Sequence, residues 1–287
     1  MKWLEIRVTV KSEDADAVTL VIYELTGRGV ALESGYVNGD GRPVLFQAVT
    51  LKGYLPFEAS KKLEKLRTAL LPYAIGPVGV LELPETDWLR AWREHYKTFR
   101  VGKTLVVRPP WEEYTPLPGD LVITIDPGLA FGCGTHPTTR LCLELMEGAV
   151  KPGSVVYDVG TGSGILAVAA ARLGGAKVVA VDNDEIAIRV ARENVRHNGL
   201  ENVVHVTEGD LLKGLTEPAD VIVANIITGV IIHLAPEAAL RLRPGGTFIA
   251  GGIAAARADK VKQELEKYFS IREMVCQEDW AAFLSVL

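Results

Sequence analysis

The chain has 287 residues and a formal charge of −5, and it contains no block of lysine or arginine residues. An acidic chain of this kind lacks the electrostatic footprint of a nonspecific nucleic-acid binder, so direct nucleic-acid binding is not expected. With 48% hydrophobic and 23% charged residues the composition is that of a globular protein, and the length predicts about two domains.

Cysteine usage and the N-terminal pattern indicate a reducing compartment. Cys133, Cys142 and Cys276 are odd in number and lack the spacing of a metal site or a disulfide framework. Residues 1–10 alternate apolar with polar side chains, which is typical of a strand and not of a signal peptide. Polar residues interrupt the most apolar region, residues 221–240, so it fails the length test for a membrane span. We predict a cytoplasmic protein with no membrane segment and no metal.

Residues 1–84 predict a small domain. The N-terminal strand precedes a helix whose apolar stripe ends at Gly27 and Gly29. Two strands, a second helix and a fourth strand follow, at residues 30–34, 44–51, 57–71 and 78–81. The order βαββαβ is typical of a ferredoxin-like α+β domain. Because this part contains no paired acids, no nucleophile beside a histidine and no glycine loop, we predict that it recognises a substrate.

Residues 85–100 predict a helical linker. Apolar and aromatic positions recur at helical spacing after the candidate cap Thr86, at Trp88, Ala91, Trp92, His95, Tyr96 and Phe99. The two tryptophans are either a contact face for a substrate or a packed stripe between domains, and we favour the packed interpretation.

In residues 101–287 the sequence pattern becomes an alternation of predicted strands and helices. After two short strands and a helix, seven strand patterns follow, at residues 155–159, 177–181, 203–206, 221–225, 247–250, 271–276 and 282–286. This alternation predicts an α/β domain with a seven-stranded, doubly wound, Rossmann-like sheet and right-handed crossovers. Ligands in such sheets bind outside the carboxyl ends of the strands.

The most informative segment is residues 158–164, Asp-Val-Gly-Thr-Gly-Ser-Gly, between a buried strand and a helix. A dinucleotide fingerprint needs its third glycine three places after the second, where this chain has Ile165, so the spacing points away from NAD. The segment resembles the first motif of S-adenosylmethionine-dependent methyltransferases. Gly160 and Gly162 would let a ligand contact the main chain, whereas the alternative is a plain tight turn.

Two acids follow later strands of the predicted sheet. Asp182 ends the second strand about twenty residues after the glycines, where a carboxylate accepts hydrogen bonds from both hydroxyls of a ribose. Its alternative role is a helix N-cap, which Asn183 or Asp184 could fill instead. Asp210 follows the third strand and is the candidate for the adenine amino group, although a Gly-Asp pair also forms ordinary turns.

Asn225 ends the fourth strand, where the reacting group would approach the methyl donor. Its amide oxygen can accept a hydrogen bond from an incoming amine and orient the nitrogen lone pair, so we assign it the catalytic role and a cofactor contact. The alternative is a simple turn former.

Residues 131–139, Phe-Gly-Cys-Gly-Thr-His-Pro-Thr-Thr, predict a lid over the cofactor. Glycines there allow movement or close approach, and Thr138 or Thr139 would offer a hydroxyl to the methionine end of the cofactor. We reject a nucleophilic dyad of Cys133 and His136 because no third residue is available to orient it. His136 stays a candidate general base or proton relay.

Taken as a whole, the chain resembles the PrmA family of ribosomal-protein lysine methyltransferases. The segments that carry the resemblance are residues 87–92, 126–132, 136–139, 158–164 and 223–226. The resemblance implies methyl transfer from S-adenosylmethionine to the α-amino group and lysine side chains of the eleventh protein of the large ribosomal subunit, presented by the N-terminal domain. It also implies cofactor contacts at Thr139, Gly160, Asp182 and Asn225. Cys133 departs from the threonine expected between the lid glycines.

Two rival functions are weaker. Methyltransferases of nucleic-acid bases favour Pro-Pro-aromatic after the asparagine, to stack a flipped base, whereas this chain has Ile226, Ile227 and Thr228 and is acidic. A noncatalytic sensor of adenosyl ligands would not need an intact glycine turn together with Asp182 and Asn225.

Overall fold

The computed structural model describes residues 2–11, 14–26, 31–33, 48–84, 96–126 and 132–287. The chain divides into two compact units, residues 1–95 and 96–287. Most of the predicted helical linker lies outside the described residues. Its last part is not helical, because Phe99 begins a strand that pairs antiparallel with Val107. The helix prediction was therefore wrong at residues 96–100, where pairing with the next strand of the chain overrides a helical aromatic spacing.

The first unit confirms the ferredoxin-like topology. Its elements in chain order are β1 (Lys2–Lys11), α1 (Ala15–Thr26), β2 (Ala31–Glu33), β3 (Ala48–Pro56), α2 (Leu63–Leu70) and β4 (Gly79–Pro84). The strand order is β2-β3-β1-β4, and each neighbouring pair is antiparallel. Alternate residues of β1, such as Ile6 and Val8, are buried with Ile22 and Leu66 of the helices, as a strand with one covered face requires. Residues 34–47, which include the turn-forming sequence Asn-Gly-Asp-Gly-Arg-Pro predicted to connect the second and third strands, lie outside the described ranges.

The second unit begins with three short strands, β5 (Phe99–Val101), β6 (Leu105–Arg108) and β7 (Leu121–Thr124), which form a separate sheet. The helix α3 (Pro137–Ala149) leads into the main sheet. The main-sheet elements are β8 (Val155–Val159), α4 (Ile165–Arg172), β9 (Lys177–Asp182), α5 (Glu185–His197), β10 (Val204–Glu208), β11 (Ala219–Asn225), α6 (Thr228–Arg241), β12 (Leu242–Ala254), α7 (Ala258–Leu265), β13 (Ser270–Gln277) and β14 (Trp280–Val286).

The main sheet has the strand order β10-β9-β8-β11-β12-β14-β13 and confirms the predicted seven-stranded, doubly wound fold. The pairs from β10 to β12 are parallel, and β14 lies antiparallel between β12 and β13. From β8 the chain builds outward in one direction through β9 and β10, and then in the other from β11. The order reverses between β8 and β11, so a ligand crevice is expected outside their carboxyl ends.

Burial explains why the first central strand and its helix form as they do. All five residues of β8 are buried, as expected for a parallel strand covered on both faces. The helix α4 is rich in alanine and buries six consecutive residues, Ile165, Leu166, Ala167, Val168, Ala169 and Ala170. Among the helices of the described ranges, none is long and apolar enough to span a membrane.

Candidate active site

The glycine turn is bonded to the end of the neighbouring strand. The amides of Gly160 and Thr161 both donate to the carbonyl of Val181, over 2.8 and 3.0 Å, and the amide of Gly162 donates to Oδ2 of Asp182 over 2.9 Å. Gly160, Gly162 and Gly164 have φ angles of +73°, +55° and +83°, which favour glycine. The turn therefore positions backbone at the carboxyl end of β8, directly before the N-terminus of α4.

Two glycines, one in the turn after β8 and one in β12, lie on either side of β11 and allow the chain after β11 to pass close to both. A Cβ at Gly160 would overlap the side chain of Ile226, and a Cβ at Gly252 would overlap the carbonyl of Ile226. Ile226 therefore lies between the end of β8 and the end of β12. This packing places the preceding residue, Asn225, beside the glycine turn.

Asp158 lies at the start of the glycine motif and is fully buried. Its Oδ2 accepts hydrogen bonds from the hydroxyl of Thr161 (2.6 Å) and the amide of Ala167 (3.0 Å), whereas its Oδ1 has no partner. Burial, reinforced by the charge of Asp182, raises the pKa of Asp158 to about 7. A buried acceptor without a partner is unusual and marks a place that a ligand or water would satisfy.

The variant Asp158→Asn is expected to remove a pH dependence of stability. Because the pKa of Asp158 is raised, the unfolded chain loses this proton at a lower pH than the folded chain, and stability falls as the pH rises from about 4 to about 7. The wild type should lose about 2–3 kcal/mol of unfolding free energy between pH 5 and pH 8 that the variant retains. Urea unfolding at both pH values measures this difference, and equal losses in the two proteins would contradict the assignment.

Asp182 is available for the predicted ribose contact. Its two carboxylate oxygens accept from the amides of Gly162 and Asp184, over 2.9 and 3.0 Å, and each oxygen keeps a further lone pair. The N-cap of α5 is Asp184, which accepts from the amide of Ile186 over 2.9 Å. The alternative role of Asp182 as that cap is therefore excluded, and the ribose contact stays a prediction.

Asp210 is the least enclosed of the predicted site residues. It is exposed and forms an ion pair with Lys213 three positions later. The amide of Gly209 donates to the carbonyl of Asp182 over 2.9 Å, so Asp210 follows directly after the point where β10 is bonded to β9. The geometry fits the turn interpretation as well as the adenine contact, which stays a prediction.

Asn225 and Thr139 are brought together from positions 86 residues apart. Nδ2 of Asn225 donates to the hydroxyl oxygen of Thr139 over 3.2 Å, and Thr139 is fully buried. Oδ1 of Asn225 is buried without a partner. An ordinary turn-forming asparagine would use this oxygen locally, so a buried acceptor without a partner favours a role toward a ligand.

His136 caps the helix that carries Thr139. Its Nδ1 accepts from the amide of Thr138 over 3.3 Å and lies 2.8 Å from the hydroxyl of Thr138. Burial lowers the pKa of His136, which favours the neutral ring, and a neutral ring that accepts at Nδ1 carries its proton on Nε2. Since Nδ1 is occupied, we assign His136 to capping and not to general-base chemistry. Trp280, which the sequence did not single out, contacts the ring of His136 at 5.0 Å between centroids.

The described part of the predicted lid is attached to its surroundings. The carbonyl of Gly132 accepts from the hydroxyl of Ser163, and the carbonyl of Cys133 accepts from the hydroxyl of Tyr96. A Cβ at Gly134 would lie 2.8 Å from Cδ1 of Ile165, so glycine here serves close approach to the glycine turn. Residues 127–131 lie outside the described ranges.

The sequence missed Asn194 on α5, although it is fully buried beside the site. Its side chain bonds both the amide and the carbonyl of Asp126 and also the carbonyl of Ser163. One signal was present: Asn194 and Asn198 are two amides one helical turn apart on an otherwise apolar helix face. In the part of the chain that the structure describes, no group of three or more His, Cys, Asp or Glu side chains is arranged to bind a metal.

The strand order and the glycine turn at the topological switch point define the class I S-adenosylmethionine-dependent methyltransferases. The model of the family described as ribosomal protein L11 methyltransferase (PrmA) matches residues 2–286 of this chain. The chain therefore belongs to the ribosomal protein L11 methyltransferase family.

Similar proteins agree with this membership, two related enzymes over the full length and one solved structure over two thirds of the chain. The ribosomal protein L11 methyltransferase of Caldanaerobacter subterraneus subsp. tengcongensis is 42% identical, over 99% of this chain and 98% of its own. The same enzyme of Pelotomaculum thermopropionicum is 44% identical, over 100% and 99%. The crystal structure of a ribosomal protein L11 methylase from Lactobacillus delbrueckii subsp. bulgaricus has a TM-score of 0.62 and 34% identity, and covers 66% of this chain and 98% of its own.

Proposed function

We propose that this enzyme transfers methyl groups from S-adenosylmethionine to lysine side-chain and N-terminal amines of ribosomal protein L11 in the cytoplasm. Family membership supports the reaction class and the substrate. One observation of the site carries the amine chemistry: Oδ1 of Asn225 is buried without a hydrogen-bond partner, and Asn225 ends β11, the strand that pairs with β8 just before the glycine turn. We assign residues 1–84 to substrate recognition and residues 101–287 to catalysis.

The site fits S-adenosylmethionine. The residues that would hold this cofactor are Thr139, Gly160, Gly162, Asp182, Asp210 and Asn225. The glycines present main chain without side chains, and Asp182 has free lone pairs for ribose hydroxyls. When bound, the cofactor supplies a methyl carbon attached to a positively charged sulfur.

The residues of the chain must present an uncharged amine to that carbon. Lysine has a pKa of about 10.4, so deprotonating it at pH 7 costs about 4.6 kcal/mol. Oδ1 of Asn225 accepts one N–H of the neutral amine and orients the nitrogen lone pair along the line of attack. An ammonium ion has no lone pair, so an acceptor that fixes the neutral form contributes to both deprotonation and alignment.

The atoms balance without a protein nucleophile. A bound cofactor would supply the methyl group and keep the electron pair of the broken carbon–sulfur bond, and the nitrogen held by Asn225 would carry the positive charge once the new nitrogen–carbon bond had formed. Loss of a proton to solvent restores a neutral amine, which can be methylated again. Neither Cys133 nor His136 is required for this step, consistent with their bonds to Thr135 and Thr138.

Transfer of a labelled methyl group separates this proposal from its rivals. The enzyme, labelled S-adenosylmethionine and either purified L11 or ribosomal RNA are incubated in parallel. We expect label in L11 and none in RNA. Label in RNA would support the nucleic-acid rival, and binding of the donor without transfer to either acceptor would support the noncatalytic one.

A further inference from the structure

Ser163 connects the glycine turn to the chain segment before α3. It is fully buried. Its hydroxyl donates to the carbonyl of Gly132, and its own carbonyl accepts from Nδ2 of Asn194 over 2.8 Å. The residue between the second and third glycines of the motif thus makes contacts in two directions.

Asn194 continues this connection to Asp126. Its Oδ1 accepts from the amide of Asp126 over 2.9 Å, and its Nδ2 donates to the carbonyl of Asp126 over 3.1 Å. Asp126 lies just beyond the end of β7. The Asn194 side chain bonds both its main-chain amide and its main-chain carbonyl, as a neighbouring strand would otherwise do. Asp126 and Gly132 are therefore both tied to one residue of the glycine turn, Ser163.

We propose that Ser163 and Asn194 are positioning residues for cofactor binding. Their hydrogen bonds fix Asp126 and Gly132, which precede α3, relative to the glycine turn. The helix α3 in turn places Thr139 in hydrogen-bond contact with Asn225. This inference rests on the proposed function, since it assumes that S-adenosylmethionine binds at the glycine turn. Without these bonds, the two parts of the site would have to be ordered when the cofactor binds, which lowers affinity.

Asn198 provides a matched control on the same helix. Its Oδ1 accepts from the amide of Thr124 over 2.9 Å, and its Nδ2 donates to the carbonyls of Thr124 and Asn194, each over 2.7 Å. It makes the same kinds of bonds to the same segment one turn away, and none of them reaches the glycine turn. The changes Asn194→Asp and Asn198→Asp each remove two donated bonds and keep one accepted bond.

The test measures thermal unfolding and the binding of S-adenosylhomocysteine by calorimetry. Both variants should lower Tm to a similar extent, and Asn194→Asp alone should weaken binding, by about tenfold. Ser163→Ala should weaken binding by about fivefold and raise the KM for the donor more than it lowers kcat. If Asn194→Asp does not fold, the binding measurement on Ser163→Ala tests the positioning role by itself.

Two outcomes would overturn the positioning role. One is that Asn198→Asp loses as much affinity as Asn194→Asp. The other is that the wild type binds and that neither Ser163→Ala nor Asn194→Asp weakens binding. A wild type that does not bind would instead overturn the proposed function, and this inference with it.

Discussion

Replacing Asn225 with alanine is expected to lower kcat for methyl transfer by about 10²–10³-fold and to change the affinity for S-adenosylmethionine by less than about threefold. The reason is that the proposed role of the buried Oδ1 of Asn225, which has no partner in the structure, is to accept from the incoming amine. The other proposed site residues would supply most of the cofactor contacts. Steady-state kinetics with L11 and calorimetry with the cofactor measure the two quantities separately.

Asn202 offers a control for this change, because it is an exposed asparagine in the turn before β10, at the opposite edge of the sheet. Asn202→Ala should leave kcat and affinity unchanged. If Asn225→Ala weakened cofactor binding as much as it slowed transfer, Asn225 would be a binding residue only and the catalytic role would be wrong.

Replacing Asp182 with alanine is expected to impair cofactor binding more than catalysis. The affinity for S-adenosylmethionine should fall by about 100-fold. A carboxylate that accepts from both ribose hydroxyls makes two charge-assisted hydrogen bonds, each contributing about 1.5 kcal/mol or more. At saturating cofactor, kcat should fall much less. Calorimetric titration and the KM for the donor report the loss.

Asp184 is the matched control for this second change, since it is an acid two positions away whose side chain caps α5. Asp184→Ala should cost about 1 kcal/mol of stability and leave cofactor affinity nearly unchanged. A similar loss of affinity in both variants would show that Asp182 acts by holding the local backbone, through the amides of Gly162 and Asp184, and not by binding ribose.

Much of this architecture is predictable because its signals are local. The apolar run, acid and glycines at residues 155–164 predict a strand, a turn and a helix in that order, and the structure has them. The position of Asn225 at a strand end follows from the same alternation. The rule that ligands bind at the carboxyl ends of parallel strands then brings the glycine turn and Asn225 to one edge.

The rest depends on which partner the folded chain brings to a side chain or strand, and spacing does not reveal that partner. Asn194 bonds a segment 68 residues earlier, and its place on an apolar helix face indicates burial but not what it binds. Phe99 has helical spacing but pairs in a strand. His136 has the chemistry of a base, and only the hydrogen bond from the amide of Thr138 shows that its Nδ1 caps α3.

Mass spectrometry of L11 after reaction tests the central claim most directly. Unmethylated L11, the enzyme and S-adenosylmethionine are incubated, and the peptides are sequenced by fragmentation. We predict mass increments of whole methyl groups on lysine side chains and on the N-terminal amine, which are strongly reduced at equal reaction time when the Asn225→Ala variant replaces the wild-type enzyme. Unmodified L11, with a wild-type enzyme that is folded and binds the donor, would contradict the account.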